Sequence, residues 1–267
     1  NLLVGGALTA IFIPQLVRSF DQEDGGDGFA SRLITTISII LFVLVAVGMY
    51  FAPALVRLYA PEFFTTGFEV EKEIAIAFTR YCLPQIFFLG LFTMLGQVAN
   101  ARGSFAPLMW APIANNIVGI ALFGAFLVFS PSVSIDNISN TQVLILGWGT
   151  TLSVVVQALV LVPVIKRLGI KLRPQWGVKG LGKSFGLAGW TLIYVLISQL
   201  GYLVTVNVAT SAAVRSAQEG IERGVGYTPY TFAYYVMLLP YSIVTISIIT
   251  AILPHISRLA LEKKAEE

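Results

Sequence analysis

Residues 76–100 read IAFTRYCLPQIFFLGLFTMLGQVAN. Apart from Arg80 the stretch is uncharged, and a helix needs about 20 mostly apolar residues to cross about 30 Å of hydrocarbon. It does not alternate apolar and polar residues as a barrel strand does, and an open strand would leave its backbone unpaired in lipid. A membrane-spanning helix satisfies both the side chains and the backbone. Six further stretches read the same way, at roughly 2–18, 33–55, 106–129, 143–165, 184–209 and 229–256, and none of the seven contains Asp or Glu. The predicted fold class is all-α, a polytopic bundle of about seven spans.

The composition of the whole chain agrees. Of its 267 residues, 56% are hydrophobic and 12% charged, against about 25% charged in a soluble domain. A globule of this size cannot bury so much apolar surface, and disorder requires the opposite balance of hydropathy and charge. The single cysteine, Cys82, excludes a disulfide framework and any multi-cysteine metal site, and its apolar surroundings predict a buried, inert thiol. A net charge of +3 is too small and too unevenly placed for a nucleic-acid partner. No carboxylate pair lies in a span, and no HExxH, Walker loop or GxSxG occurs, so neither an enzyme nor a bound metal or cofactor is expected.

The placement of the cations predicts orientation. Positive residues concentrate in cytoplasmic loops. Alternate loops hold Arg18, Arg32, Arg102, Lys166, Arg167, Lys171, Arg173, Lys179 and Lys183, and the tail adds Arg258, Lys263 and Lys264. The other loops hold Arg57, Lys72, Arg215 and Arg223. That bias places the 166–183 segment and the C-terminal tail in the cytoplasm, and the start of the first span outside. Since the chain opens on Asn1 with no Met before its first apolar run, it is expected to be a piece of a longer polypeptide, with at least one more span before it. Segment 19–31 reads as a polar turn. Segment 168–183, mixing Leu, Ile and Trp176 with cations, suits either the inner headgroup layer or a connector between two bundles.

Seven prolines lie in or at the edges of spans: Pro14, Pro84, Pro107, Pro112, Pro163, Pro240 and Pro254. Each removes a backbone hydrogen bond and is expected to bend its helix, and broken helices at membrane depth are typical of transporters. Amides and hydroxyls also enter the spans, among them Gln85, Gln97, Asn100, Asn115, Asn116, Ser198, Gln199, Thr205 and Asn207; such groups also act as plain interhelical glue. Arg80 is costlier, at about 2.5–3.5 kcal/mol within a span, and is expected to face a cavity or to snorkel.

Particular motifs now point to a family. Gly5-Gly6-Ala7-Leu8-Thr9-Ala10-Ile11-Phe12-Ile13-Pro14 resembles the second-helix motif, usually written EGAFSxAFVP, of the MurJ/MviN lipid II flippases, which belong to the multidrug/oligosaccharidyl-lipid/polysaccharide exporter superfamily. Ala60-Pro61-Glu62-Phe63 is similar to their APGF. Arg80, Pro84 and the run Phe105-Ala106-Pro107 to Asn115-Asn116 resemble their fourth and fifth helices, Ser198-Gln199 a pair in the seventh, and Leu239-Pro240 with Thr250 to Ser257 the eighth.

The resemblance implies helices two to eight of a larger two-lobed core. Residues 1–165 would be the N-terminal lobe without its first helix, 166–183 a cytoplasmic amphipathic linker, and 184–267 the start of the C-terminal lobe. It implies a flippase carrying lipid II, an undecaprenyl-pyrophosphate-linked peptidoglycan precursor, across the bacterial plasma membrane by alternating access. Lipid II, membrane lipids and cell-wall synthesis proteins would be its partners. Arg80, Gln199 and Tyr235 would line the cavity, with Gly5, Gly6 and Thr9 shaping the gate. Three positions depart from the family pattern: Gly5 where Glu is usual, Tyr235 where a cavity arginine precedes Leu-Pro, and Thr205 where relatives carry Asp or Asn. A drug or polysaccharide exporter of the same superfamily, or an inactive membrane scaffold for cell-wall synthesis, remain the alternatives.

Overall fold

The computed structural model describes residues 26–130, 132–135, 137–176, 182–220 and 224–266, with side chains except at 182–192, 246, 247 and 249–266. Among the described residues every regular element is a helix and no strand forms. In chain order these are α1 (Asp27–Tyr50), α2 (Ala52–Tyr59), a 3-10 turn (Pro61–Phe64), α3 (Glu69–Cys82), α4 (Pro84–Ala101), α5 (Ala106–Phe129), α6 (Asn140–Leu159), α7 (Leu161–Arg167), α8 (Gly182–Gln218) and α9 (Tyr227–Glu266). Among the described residues, five stretches are long and apolar enough to cross a membrane: Asp27–Tyr50, Glu69–Ala101, Ala106–Phe129, Asn140–Arg167 and Ile193–Gln218. The span read at 2–18 lies outside the described residues, and that read at 229–256 falls within α9.

Two boundaries differ from the sequence reading for local reasons. Helix α1 begins at Asp27, so the last part of the expected 19–31 turn is helical. Gly26, at φ 84°, ends the preceding chain, Asp27 places a negative charge at the positive helix end, and Gly28, Phe29, Ala30 and Ser31 are buried. Helix α3 likewise starts at Glu69, ahead of the apolar run, with Glu69 and Glu71 in its first turn. The Glu69 carboxylate accepts the Gly67 N–H at 3.1 Å.

The prolines divide into two groups. Leu83 separates α3 from α4 immediately before Pro84, and Val160 separates α6 from α7 three residues before Pro163. Both junction residues stay right-handed (φ −56°, ψ −36° and φ −58°, ψ −27°), so these are kinks within continuing spans. Pro107 sits in the first turn of α5, where its missing N–H is no loss. Pro112, Pro240 and Pro254 lie inside helices that continue through them. Pro14 lies outside the described residues.

The chain divides into two compact units, one ending at Leu203 and one beginning at Val204. In the first, α6 packs against α3, α4 and α5, and α1 packs against α4. Close approach depends on Gly147: a Cβ there would stand 2.6 Å from the Cβ of Tyr81. The core joins Phe29, Ala30 and Leu33 of α1 to Met94, Leu95, Val98 and Ala99 of α4, and to Leu161 and Ile165 of α7. The rest of the helix surface is apolar and open. On α5, Ile120 is 73% exposed and Phe129 84%, a surface that lipid accepts and water does not.

Beyond α7 the chain forms a strap. Gly169, at φ 73°, ends the helix, and Ile170 enters the core. The strap's alternate N–H groups then bond to side chains one turn apart on α1. Lys171 N donates to Asp27 Oδ2 at 3.0 Å, Arg173 N to Ser31 Oγ at 3.1 Å, and Gln175 N to Thr35 Oγ1 at 3.2 Å. Four helical residues rise about 6 Å, and two extended residues cover about 6.6 Å, so the two periods stay in step over three rungs. Asp27 also meets Arg102, just past α4, at 3.4 Å.

Candidate functional site

The Pro84 kink organises the polar interior of the first unit. Thr151 of α6 donates its hydroxyl to the Tyr81 carbonyl at 2.6 Å, capping α3 where the ladder is interrupted. Beside it, Gln85 Nε2 donates to Thr150 Oγ1 at 3.1 Å, and Thr150 donates to the Gly147 carbonyl at 2.8 Å. Cys82 Sγ lies 3.6 Å from Thr150 Oγ1. The thiol is half-buried in this polar cluster, rather than enclosed by apolar side chains as expected. The Thr151 hydroxyl thus satisfies one backbone carbonyl at the junction, as a bend in hydrocarbon requires.

Arg80 occupies the last turn of α3, one residue before the capped carbonyl. It is exposed, and among the described residues it makes no ion pair or hydrogen bond. Four residues separate it from Ile76, where the apolar run begins, so by helical rise it stands about 6 Å into that run. An unpaired guanidinium within a span can receive an anion.

The other expected residues are distributed. Gln199 is exposed on α8, and among the described residues no hydrogen bond links it to Arg80. Its neighbour Ser198 donates to its own helix, at the Tyr194 carbonyl, 2.9 Å away. Tyr235 is 59% exposed on α9, in the second unit. Thr205 lines a groove of that unit. Gly5, Gly6 and Thr9 lie outside the described residues. Asn115 and Asn116 line a groove of about 660 Å³ along α5 with Gly119 and Ser153, and Gln97 is buried at 5% exposure. Among the described residues no three His, Cys, Asp or Glu side chains gather as a metal site.

Sequence reading missed Thr150 and Thr151, whose part depends on α6 facing the Pro84 kink from about seventy positions away. It also missed Asp27, Ser31 and Thr35, although their i, i+4, i+8 spacing was a visible signal.

Comparison with known proteins agrees with this architecture. The family model described as "Lipid II flippase MurJ" matches residues 1–267. The chain is 24% identical to the lipid II flippase MurJ of Burkholderia cenocepacia over 100% of its own length and 49% of that protein. It is 24% identical to a probable lipid II flippase MurJ of Vibrio cholerae, covering 97% of this chain and 47% of the relative. Over 143 residues it is 28% identical to the corresponding protein of Rickettsia prowazekii, covering 52% of this chain and 28% of the relative. The chain therefore spans about half the length of the curated relatives that it matches throughout. An all-helical, multi-pass membrane protein whose whole length matches one family leaves a single assignment: the chain belongs to the MurJ lipid II flippase family.

Proposed function

We propose that this chain supplies the N-terminal lobe and the opening helices of the C-terminal lobe of a lipid II flippase. The division runs 1–165, linker 166–183, and 184–267. The physical task is to move an anionic, sugar-bearing headgroup through hydrocarbon while its polyprenyl tail stays in lipid. Two lobes enclosing a hydrated cavity do this by opening to one side, binding the headgroup and rocking to the other. The observation that carries the reading is Arg80: an exposed, unpaired cation inside a span, seated beside a proline kink. It offsets pyrophosphate charge, and Gln199, Tyr235 and the 5–9 segment complete the cavity and gate. An inside-negative potential favours outward movement of the anion by about 2.3 kcal/mol per charge per 100 mV.

In this reading the protein sits in the bacterial plasma membrane, with the linker and C-terminal tail cytoplasmic. Lys166, Arg167, Lys171 and Arg173 are all exposed, as a cytoplasmic headgroup contact requires. Lipid II is the substrate, and the surrounding lipids and cell-wall synthesis proteins are the partners.

The test is depletion of the protein in its host, with lipid II in the outer leaflet measured by a probe added to intact cells. Exposed lipid II falls on depletion, wild-type protein restores it, and Arg80→Ala at equal membrane abundance does not. Unchanged exposure on depletion removes lipid II as substrate. Full rescue by Arg80→Ala removes Arg80 from the site and favours the scaffold alternative.

A further inference from the structure

The turn that joins α7 to the strap gathers cations around a pocket. Gly169, at φ 73°, lets the chain double back in a Schellman turn. The last carbonyls of α7 are taken up in it: Val164 O accepts from Leu168 N at 3.0 Å, Lys166 O from Gly169 N at 3.1 Å, and Ile165 O from Ile170 N at 3.3 Å. With those carbonyls spent, the negative end of the helix no longer opposes an anion. The same turn brings Lys171 and Arg173 of the strap to a pocket of about 410 Å³ that Lys166 of α7 also lines. Its floor is apolar, formed by the buried Leu95, Ile165 and Ile170. All three cations are exposed, and among the described residues their side chains make no ion pair or hydrogen bond. No acidic residue lines the pocket. Asp27, which accepts the Lys171 N–H, does not line it and has its charge offset by Arg102 at 3.4 Å. Lys166 is one residue from the end of the span Asn140–Arg167, so the pocket sits where hydrocarbon gives way to headgroups.

A second cavity leads from the pocket into the hydrocarbon. It measures about 440 Å³, shares Leu172 and Arg173 with the first, and follows α1 from Ser31 to Phe42. There it reaches the Phe42–Phe87 pair, whose rings meet edge to face at 6.5 Å. Ser31 and Thr35 add little polarity to its wall, because their hydroxyls already accept strap N–H groups. By helical rise the groove is about 16 Å long, and the hydrocarbon of one leaflet is about 15 Å deep, half of about 30 Å. A free phosphate would use the pocket and leave the groove empty. An amphiphile with one negative head and one alkyl chain per leaflet depth fills both: its phosphate meets Lys166, Lys171 and Arg173, and its chain covers the apolar wall of α1. A groove one leaflet long suits an acyl chain rather than the much longer undecaprenyl tail.

We propose that Lys166, Lys171 and Arg173 hold the phosphate of an anionic phospholipid, and that the α1 groove takes one of its acyl chains. The site lies wholly in the first unit and does not depend on the flippase reading.

The experiment adds dioleoyl phosphatidylglycerol, dioleoyl phosphatidylcholine or undecaprenyl phosphate to delipidated protein of native length in detergent, and reads retained lipid by native mass spectrometry. Wild type retains one phosphatidylglycerol in preference to phosphatidylcholine, and equimolar undecaprenyl phosphate does not displace it. Lys166→Gln/Lys171→Gln/Arg173→Gln retains it about hundredfold more weakly, at about fivefold per cation removed. The rungs on α1 use main-chain N–H groups, so persisting amide protection at 171, 173 and 175 shows that the strap of this variant is in place. A second variant, Ile39→Trp, fills the groove. It weakens dioleoyl phosphatidylglycerol about tenfold, the effect of two methylenes left uncovered, and leaves short-chain dihexanoyl phosphatidylglycerol unchanged. Equal retention of both dioleoyl phospholipids by wild type, or unchanged retention by the triple variant with its strap protected, overturns the site. Displacement by undecaprenyl phosphate overturns the phospholipid as its occupant. Equal weakening of long-chain and short-chain lipid by Ile39→Trp, or no weakening of either, overturns the groove.

Discussion

The strap on α1 yields the most specific stability prediction. Its three rungs pair Lys171, Arg173 and Gln175 with Asp27, Ser31 and Thr35. A neutral hydrogen bond contributes about 1 kcal/mol net, and one to a charged acceptor about 1.5–3 kcal/mol. Replacing Ser31 by Ala and Thr35 by Val together removes two neutral rungs, about 2 kcal/mol, which corresponds to about a thirtyfold loss of amide protection at Arg173 and Gln175. Asp27→Ala removes the charged rung and the contact with Arg102 and weakens the strap further. Hydrogen exchange read at single-residue resolution should show slow N–H groups at Lys171, Arg173 and Gln175 and fast ones at Leu172 and Trp176. The alternation has a built-in guard. A slip of one residue would set Leu172, Pro174 and Trp176 opposite the three acceptors, and Pro174 has no N–H to give. Deleting Ile170 should therefore abolish protection rather than re-register it. Uniform exchange across 171–176, or unchanged protection in Ser31→Ala/Thr35→Val, would refute the ladder.

Other outcomes follow from the kink and the topology. Gly147→Ala drives a methyl group into Tyr81 and should cost about 1–3 kcal/mol. Thr151→Val leaves the Tyr81 carbonyl unpaired at a similar cost of about 1–3 kcal/mol. Both should lower the midpoint of thermal unfolding in detergent while membrane insertion persists, and an unshifted midpoint argues against a fixed kink. A cysteine at position 176, in a Cys82→Ser background, should be labelled by an impermeant maleimide only after the inner face is exposed. One at Ser134 should be labelled in intact cells, and the reverse pattern inverts the proposed orientation.

Legibility in the sequence followed the range of the physics involved. Spans such as 106–129 were visible because hydrocarbon thickness imposes a run length on the chain itself, and α5 matches that stretch residue for residue. Charge bias between loops, also a property of composition, yields an orientation that the labelling experiment above tests. Helix starts were less so. Asp27 and Glu69 begin their helices among charged residues that a hydropathy reading assigns to loops. The prolines were the plainest limit: Pro84 and Pro112 look alike in sequence, yet one marks a kink and the other sits within an uninterrupted helix.

What the chain determined by itself was therefore its solvent, its helical class, its family and the presence of a cation inside a span. What only the tertiary structure decided was how polar groups are satisfied within that solvent. Thr151 reaches the Tyr81 carbonyl, Ser31 and Thr35 hold the strap, and Gly226 brings α9 against α8. The reason is one of distance. Hydrophobic run length and charge bias are written locally along the chain, whereas a hydrogen-bond partner in a low-dielectric interior is whichever group the packing delivers, regardless of its separation in sequence.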